Sequence, residues 1–401
     1  MIKSKFKGFN FLYVFFPDDF ERWSRRFKFN SLLRNNPDCR IIGIRYPISL
    51  GTLISNPVHF FSLLFRLRER ITTNLWAITF LSIVPVSFVD RNKILSFLNR
   101  GICLFQMTIH LKSIEKTDKK QNVLWISAIT KFPFCFQLKN SFFVYDCLDE
   151  LTMNQEGTCS ELKIIEDEML KKSDVVFTAS RYLYEKKRIR TRRCFYFPHG
   201  VDPVFFCDNK KLHLDMQAVF SIIKRPIVGY VGNIRSWLDF DLLVLFAQRF
   251  SMVSFVFVGS IMPDVKQDIK RLKEFPNVFF IGRQEYEQIP SVVRMFDVTL
   301  IPFKINTFNF ATNPYKFMEY LALGKPVLSP NIVELRQFSD VLVLYESQSE
   351  AIEKLERLFQ TSEKVELVNK RIEIARRHIV DTFSRQQYEI LNKLCSVTSE
   401  D

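Results

Sequence analysis

Apolar residues in this chain fall into short runs of strand length. They are separated by stretches in which apolar positions recur every three or four residues. The runs lie at 9–16, 40–46, 75–83, 122–127, 141–146, 174–178 and 193–197. Helical periods occupy 20–35, 57–71, 91–113, 160–172 and 181–190 between them. A second set of strand-length runs begins at Pro226, near 226–231, 253–258, 277–281, 297–303, 326–329 and 341–345, again with helical spacers. Continuous apolar runs alternating with amphipathic helices predict an α/β protein with parallel sheets covered on both faces. From 347 onward only helical periods remain, over 363–379 and 382–397. The pattern therefore predicts two tandem, doubly wound, Rossmann-like domains, over 1–205 and 206–380, joined through 198–224 and followed by a last helix over 381–401. The cleft between such domains is the default place for a ligand.

One stretch carries the clearest local signal. Asn313 is a strong N-cap, Pro314 is preorganised for the first helical position, Gly324 suits the left-handed C′ position, and Pro326 blocks continuation. These predict a short helix over 314–323 after the strand at 297–303. Strand, loop and capped helix make half of an anion site, because free N–H groups face the incoming ligand. Lys316 would add a full charge, and Glu319, one turn on, would accept hydrogen bonds from sugar hydroxyls. The same spacing also suits an i,i+3 surface pair.

Size, charge and cysteine content narrow the picture. A chain of 401 residues is long for one core and sufficient for two domains. The net charge of +14 sits in the first half: residues 1–205 carry 32 Lys and Arg against 19 Asp and Glu, and the remainder is nearly balanced. Such a surface attracts anionic lipid, phosphorylated substrates or nucleic acid. No zinc finger, homeodomain or RNA-binding signature accompanies it, which sets nucleic acid aside. Segment 58–70 reads as an apolar helix tipped with arginine, of the kind that docks on anionic membranes or packs as a core helix with a solvated end. The longest apolar stretch, 75–89, contains Pro85 and is shorter than the roughly 20 residues of a membrane span. It reads as a buried strand running into a loop. Eight scattered cysteines without a CxxC pair, and no signal-peptide pattern, fit free thiols in a reducing cytoplasm. Five histidines without HxH or HxxxH spacing predict no metal site.

The string Asn313-Pro314-Tyr315-Lys316-Phe317-Met318-Glu319-Tyr320-Leu321-Ala322-Leu323-Gly324-Lys325-Pro326-Val327 resembles the donor-site segment of GT-B glycosyltransferases, especially bacterial ones that build surface polysaccharides. The resemblance implies a GT-B fold whose last helix crosses back onto the first domain. It also implies a metal-independent enzyme without a cofactor, using a nucleoside diphosphate sugar and a saccharide or lipid-linked acceptor. Such an enzyme would be cytoplasmic, with peripheral contact at the inner face of an anionic membrane through the basic first domain. Val228-Gly229-Tyr230-Val231-Gly232-Asn233-Ile234-Arg235 resembles the first strand and loop of the donor domain. Gly232 and Asn233 would approach the donor there, and Arg235 would supply charge. Arg283 lies in the loop that in such enzymes is near the nucleotide base. Val144-Tyr145-Asp146-Cys147-Leu148-Asp149-Glu150 resembles the Tyr-Asp-x-x-Asp segment of the same enzymes. Asp149, then Asp146, is the candidate base for the acceptor hydroxyl. Asp18 or Asp19 would cap the first helix or touch acceptor. The Phe197–Asp202 stretch resembles the turn between domains, with His199 in place of Asn.

Two departures weigh against the retaining branch. Leu238 and Asp239 stand where a Lys-Gly pair grips the diphosphate in many retaining relatives, and Ala311 stands where those enzymes carry a second Glu. Two other readings stay open. One is a non-hydrolysing sugar-nucleotide epimerase of the same fold, which should gather several acidic and His groups in its cleft. The other is a non-catalytic module that binds membranes or glycans.

Overall fold

The structure is a computed structural model. It describes residues 9–14, 31–33, 36–45, 48–58, 61, 67–71, 73–82, 93–114, 120–127, 138, 141–150, 152–154, 157–158, 160–207 and 212–397. The chain divides into two compact units. Unit 1 holds residues up to 179, 183–197 and 381 onward; unit 2 holds 180–182 and 198–380.

Unit 1 contains strands β1 (Phe9–Val14), β2 (Arg40–Ile44), β3 (Ile48–Ser49), β4 (Arg68–Arg70), β5 (Leu75–Ile78), β6 (Leu81–Ser82), β7 (Gln121–Ile126), β8 (Ser141–Cys147), β9 (Met153–Asn154), β10 (Gly157–Thr158), β11 (Val175–Thr178) and β12 (Cys194–Tyr196). Its main sheet runs β12-β11-β8-β7-β1-β2-β5-β4. Every pair is parallel except β4 with β5. Starting from β1 the order winds out to one edge and back to the other, so the doubly wound switch point lies between β1 and β7. The strands are apolar on both faces because both are covered: Val123 and Trp125 are buried on one face of β7, Leu124 and Ile126 on the other. The core is built on aromatic edges: Phe11 meets Trp125 at 6.0 Å and Phe177 meets Phe197 at 5.3 Å between centroids. The helix Val380–Val397 closes it, with Leu391 and Cys395 in the core and Tyr388 edge-on to Phe9 at 5.4 Å. The last helix thus belongs to the first unit.

Unit 2 contains β13 (Ile227–Val231), β14 (Ser254–Val258), β15 (Val278–Gly282), β16 (Val298–Leu300), β17 (Val327–Pro330) and β18 (Val343–Tyr345), in the order β15-β14-β13-β16-β17-β18, all parallel. This is the 3-2-1-4-5-6 order of a dinucleotide-binding sheet, with its switch point between β13 and β16.

Three expectations need correction. Residues 180–182 already belong to unit 2, and the main crossing falls between 197 and 198 rather than near 205, because Val201 and Phe205 are fully buried in the core of unit 2. The predicted helix over 57–71 does not reach its arginine end: Arg68–Arg70 is an antiparallel edge strand, with Arg68 and Arg70 lying over the Trp76 ring at 6.0 and 5.5 Å. Alternating exposed and half-buried positions over three residues suit an edge strand better than a helix end. Residues 59–60 and 62–66 of that segment, and Asp18 and Asp19, lie outside the described residues. The helix after β16 also begins later than the predicted 314, at Lys316.

Candidate donor site at the switch point of unit 2

The site is assembled where β13 and β16 diverge. β13 is buried throughout and ends in Val231, whose N–H donates to the Tyr320 hydroxyl at 2.9 Å. That bond fixes the helix Lys316–Ala322 against the end of the strand. Gly232 follows with φ +150°, its N–H on the Val258 carbonyl at 2.8 Å. A Cβ on Gly232 would stand 2.3 Å from Lys316 Cε, 2.9 Å from its Nζ and 2.7 Å from the Tyr230 hydroxyl. The Lys316 side chain therefore lies across the glycine. Gly259 ends β14 in the same way, with φ +148° and an ideal Cβ 1.9 Å from the Gly232 carbonyl oxygen. Two backbones meet here because neither residue has a side chain.

The helix itself starts later than its sequence suggests. Asn313 and Pro314 are buried, but the regular helix begins at Lys316 with Tyr315 at the N-cap and no side-chain cap bond. Phe317 N–H reaches the Pro314 carbonyl and Met318 N–H the Tyr315 carbonyl, both at 3.1 Å. The entry is thus a tight i→i+3 turn, and Pro314 opens that turn instead of occupying the first α-helical position. The exit is as predicted. Gly324 has φ +70°, its N–H bonds the Leu321 carbonyl at 2.9 Å, and Lys325 N–H bonds that of Tyr320 at 3.0 Å. Both bonds of a Schellman cap are present. Buried Arg371 donates to the Gly324 carbonyl at 3.1 Å and braces the cap from outside.

Two opposite charges share this enclosed place. Glu319 is 3% exposed and accepts from the Tyr286 hydroxyl at 3.1 Å. Burial pushes its carboxyl up to about 7, against the pull of Lys316 and the Tyr286 hydrogen bond, and Asp202 adds to the rise. Burial lowers the Lys316 pKa, and Glu319 opposes that. Among the described residues no hydrogen-bond acceptor engages the Lys316 ammonium; it stands 5.0 Å from the Tyr315 ring centroid. A half-buried cation at the switch point, beside backbone that only glycine can form, is suited to hold a phosphate oxygen.

The other candidate residues fall in different settings. Asn233 is half-buried, and its carbonyl accepts from Tyr230 at 3.1 Å. Arg235 is engaged by Asp264 at 3.5 Å and by the Trp237 ring at 5.1 Å. Arg283 is exposed on the loop after β15. Leu238 is fully buried, Asp239 caps the next helix by accepting from Leu242 N–H at 3.0 Å, and Ala311 is fully buried. Those three positions serve the fold. In unit 1, Asp146 is buried and accepts from Trp125 Nε1 at 2.9 Å. Asp149 is half-buried near the end of β8, its carbonyl accepting from Cys147 Sγ at 3.7 Å. Glu150 is instead bound into a buried cluster, 3.1 Å from Lys186 and 3.4 Å from Lys187.

Sequence reasoning missed two residues. Tyr286 sits in the short turn after β15, and its hydroxyl is the partner of Glu319. Asp202 appeared only as part of an inter-domain turn. It caps the turn Pro203–Phe206 and adds negative potential at Glu319 and Tyr286. No spacing rule links either residue to Glu319, since the fold alone brings them together. The His199 ring stands edge-on to Tyr315 at 5.8 Å. Among the described residues no group of three or more His, Cys, Asp or Glu could hold a metal ion.

Comparison with known proteins agrees with this geometry. Residues 225–361 match the family model described as "Glycosyl transferases group 1". TuaH of Bacillus subtilis (strain 168), named for teichuronic acid biosynthesis as a glycosyltransferase, is 25% identical over 201 residues. That alignment covers 47% of this chain and 50% of the relative, so the match spans about half the length of each. Among solved structures, a sucrose-phosphate synthase from Thermosynechococcus elongatus superposes with a TM-score of 0.68 at 12% identity, covering 97% of this chain and 99% of the other. The Anabaena protein HepE in complex with UDP-glucose superposes with a TM-score of 0.67 at 14% identity, covering 96% and 99%. This chain has the GT-B fold, its residues 225–361 match the group 1 glycosyl transferase model, and about half of it is similar to a relative named for teichuronic acid biosynthesis.

Proposed function

We propose that this chain transfers a glycosyl group from a nucleoside diphosphate sugar to a saccharide or lipid-linked acceptor in the making of a cell-surface polysaccharide. The observation that carries the reading is the Lys316 ammonium lying over Gly232 at the switch point of unit 2. There it would neutralise the charge that grows on the departing diphosphate, a task that needs no metal. The complexes of HepE with UDP and UDP-glucose support a uridine nucleotide as the first donor to test. Glu319, held by Tyr286, would orient the sugar or ribose hydroxyls. Asp149 is the proposed base toward the acceptor hydroxyl, because Asp146 is already committed to Trp125. The buried Ala311 and the fold-serving pair Leu238 and Asp239 support inversion over retention.

A cytoplasmic position at the inner face of an anionic membrane goes with this reading, supported by the basic first half and by free thiols at every described cysteine. Among the described residues no helix is long and apolar enough to cross a membrane.

The test is release of nucleoside diphosphate from UDP-, GDP- and dTDP-sugars, with and without a saccharide or lipid-extract acceptor. Release that depends on acceptor is expected. Turnover of the sugar nucleotide without acceptor would favour the epimerase, and neither turnover nor nucleotide binding would overturn the enzyme reading.

A further inference from the structure

The helix Lys93–Ile114 in unit 1 is apolar on two opposite faces. One is buried through Cys103, Met107 and Leu111. On the other, Phe97 is 76% exposed, Leu98 46%, Phe105 67% and Ile109 48%. Gly101 lies within this stripe, and a Cβ there would meet nothing within 4 Å. A contiguous apolar stripe exposed on the outer face of a packed helix marks an interaction surface.

The helix is firmly placed. Gln106 brackets Leu81 of β6, accepting from its N–H at 3.0 Å and donating to its carbonyl at 2.8 Å. The outer face is therefore not a loose segment awaiting a fold.

Charge identifies what the stripe meets. The 22-residue helix contains no Asp or Glu; its charges are Lys93, Arg100 and Lys112. Lys112 is exposed on the same face as Phe105 and Ile109. Arg68, also exposed, hydrogen-bonds Ser113 at the end of the helix. An apolar band with a cationic rim matches the headgroup boundary of an anionic bilayer, where aromatic and aliphatic groups insert and Lys and Arg meet phosphate. A second copy of the chain fits less well, because residues 1–205 carry 32 basic against 19 acidic groups and like charges would face each other.

We propose that this outer face is a membrane-docking surface for anionic phospholipid, with Phe97, Leu98, Phe105 and Ile109 inserted and Lys112 and Arg68 at the headgroups. The proposal rests on the membrane reading above and names the surface responsible.

The test uses the full chain and vesicles of phosphatidylglycerol with phosphatidylcholine, against phosphatidylcholine alone. Wild type should sediment with the anionic vesicles, less so as salt rises. Phe97→Ser with Phe105→Ser should lower the partition about tenfold or more, while retaining the wild-type melting shift with UDP. Leu214→Ser with Ile222→Ser, at residues 80% and 77% exposed in unit 2, should sediment as wild type does. Phe105→Trp emission should be quenched by brominated lipid. Undiminished sedimentation of the Phe97/Phe105 variant would overturn this face and leave the membrane reading intact. Wild type that binds UDP but ignores both vesicles would overturn the membrane reading and leave the donor site intact. Wild type that self-associates, with the variant monomeric, would assign the face to a second copy.

Discussion

Replacing Glu319 with Gln isolates the electrostatics of the donor site. The carboxyl is 3% exposed and its pKa rises from the ordinary 4.5 to about 7, chiefly through burial. At about 1.4 kcal/mol per pH unit, that difference corresponds to about 3 kcal/mol. The folded form holds the proton more tightly than the unfolded chain. Its stabilising contribution is therefore complete below about pH 4.5 and is lost as pH rises through about 7. The substituted amide imitates the protonated acid and does not titrate. Wild type and Glu319→Gln should thus match in stability near pH 4.5, and the variant should be the more stable by up to about 3 kcal/mol at pH 8. For a unit of this size the gap amounts to roughly 6–12 °C in melting temperature. Urea unfolding of both proteins from pH 4.5 to 8 reads it directly. Tyr286→Phe should move the window to higher pH, because the hydroxyl it removes favours the carboxylate. A stability difference that is flat across this range, or that favours wild type as pH rises, would refute the reasoning.

Other perturbations separate backbone from charge. Gly259→Ala should be the harsher of two glycine changes, since its Cβ would meet the Gly232 carbonyl oxygen at 1.9 Å and backbone yields least. Gly232→Ala meets the movable Lys316 Cε, at 2.3 Å. It should cost about 1–3 kcal/mol by denaturant melts and weaken UDP binding in titration. Lys187 is fully buried between Glu166 at 2.5 Å and Glu150 at 3.4 Å. Lys187→Ala removes the cation shared by two buried carboxylates, leaving Glu150 with Lys186 and Glu166 with the Tyr145 hydroxyl, and should cost roughly 3 kcal/mol in urea unfolding. Asp149→Asn should abolish acceptor-dependent transfer while leaving the UDP-induced melting shift unchanged.

The main architecture was legible because it is written in runs of apolar residues. Strands expected at 226–231, 253–258 and 141–146 appear as Ile227–Val231, Ser254–Val258 and Ser141–Cys147. A strand buried on both faces leaves that mark in any sequence. Gly324 was legible for a similar local reason, since a left-handed cap after a helix calls for glycine. The start of the same helix was not, because Asn313 and Pro314 suit both an α-helical cap and the opening of a tighter turn. Lys316 and Glu319 were legible as candidates through their spacing and the string around them. Tyr286 and Asp202 approach Glu319 from elements 33 and 117 residues away, where no periodicity reaches. Arg68–Arg70 misled because apolar residues ahead of it continue a helical period, and only pairing with β5 makes it a strand.

The central claim is that Lys316 holds a nucleoside diphosphate at the switch point of unit 2. Calorimetric titration of UDP into wild type and Lys316→Ala, with melting curves of both, tests it most directly. A charge-assisted contact of about 1.5–3 kcal/mol predicts roughly 10- to 150-fold weaker binding by the variant. UDP at a hundred times its dissociation constant should stabilise wild type by about 2.7 kcal/mol. Equal UDP affinity in the two proteins, both well folded, would contradict the account.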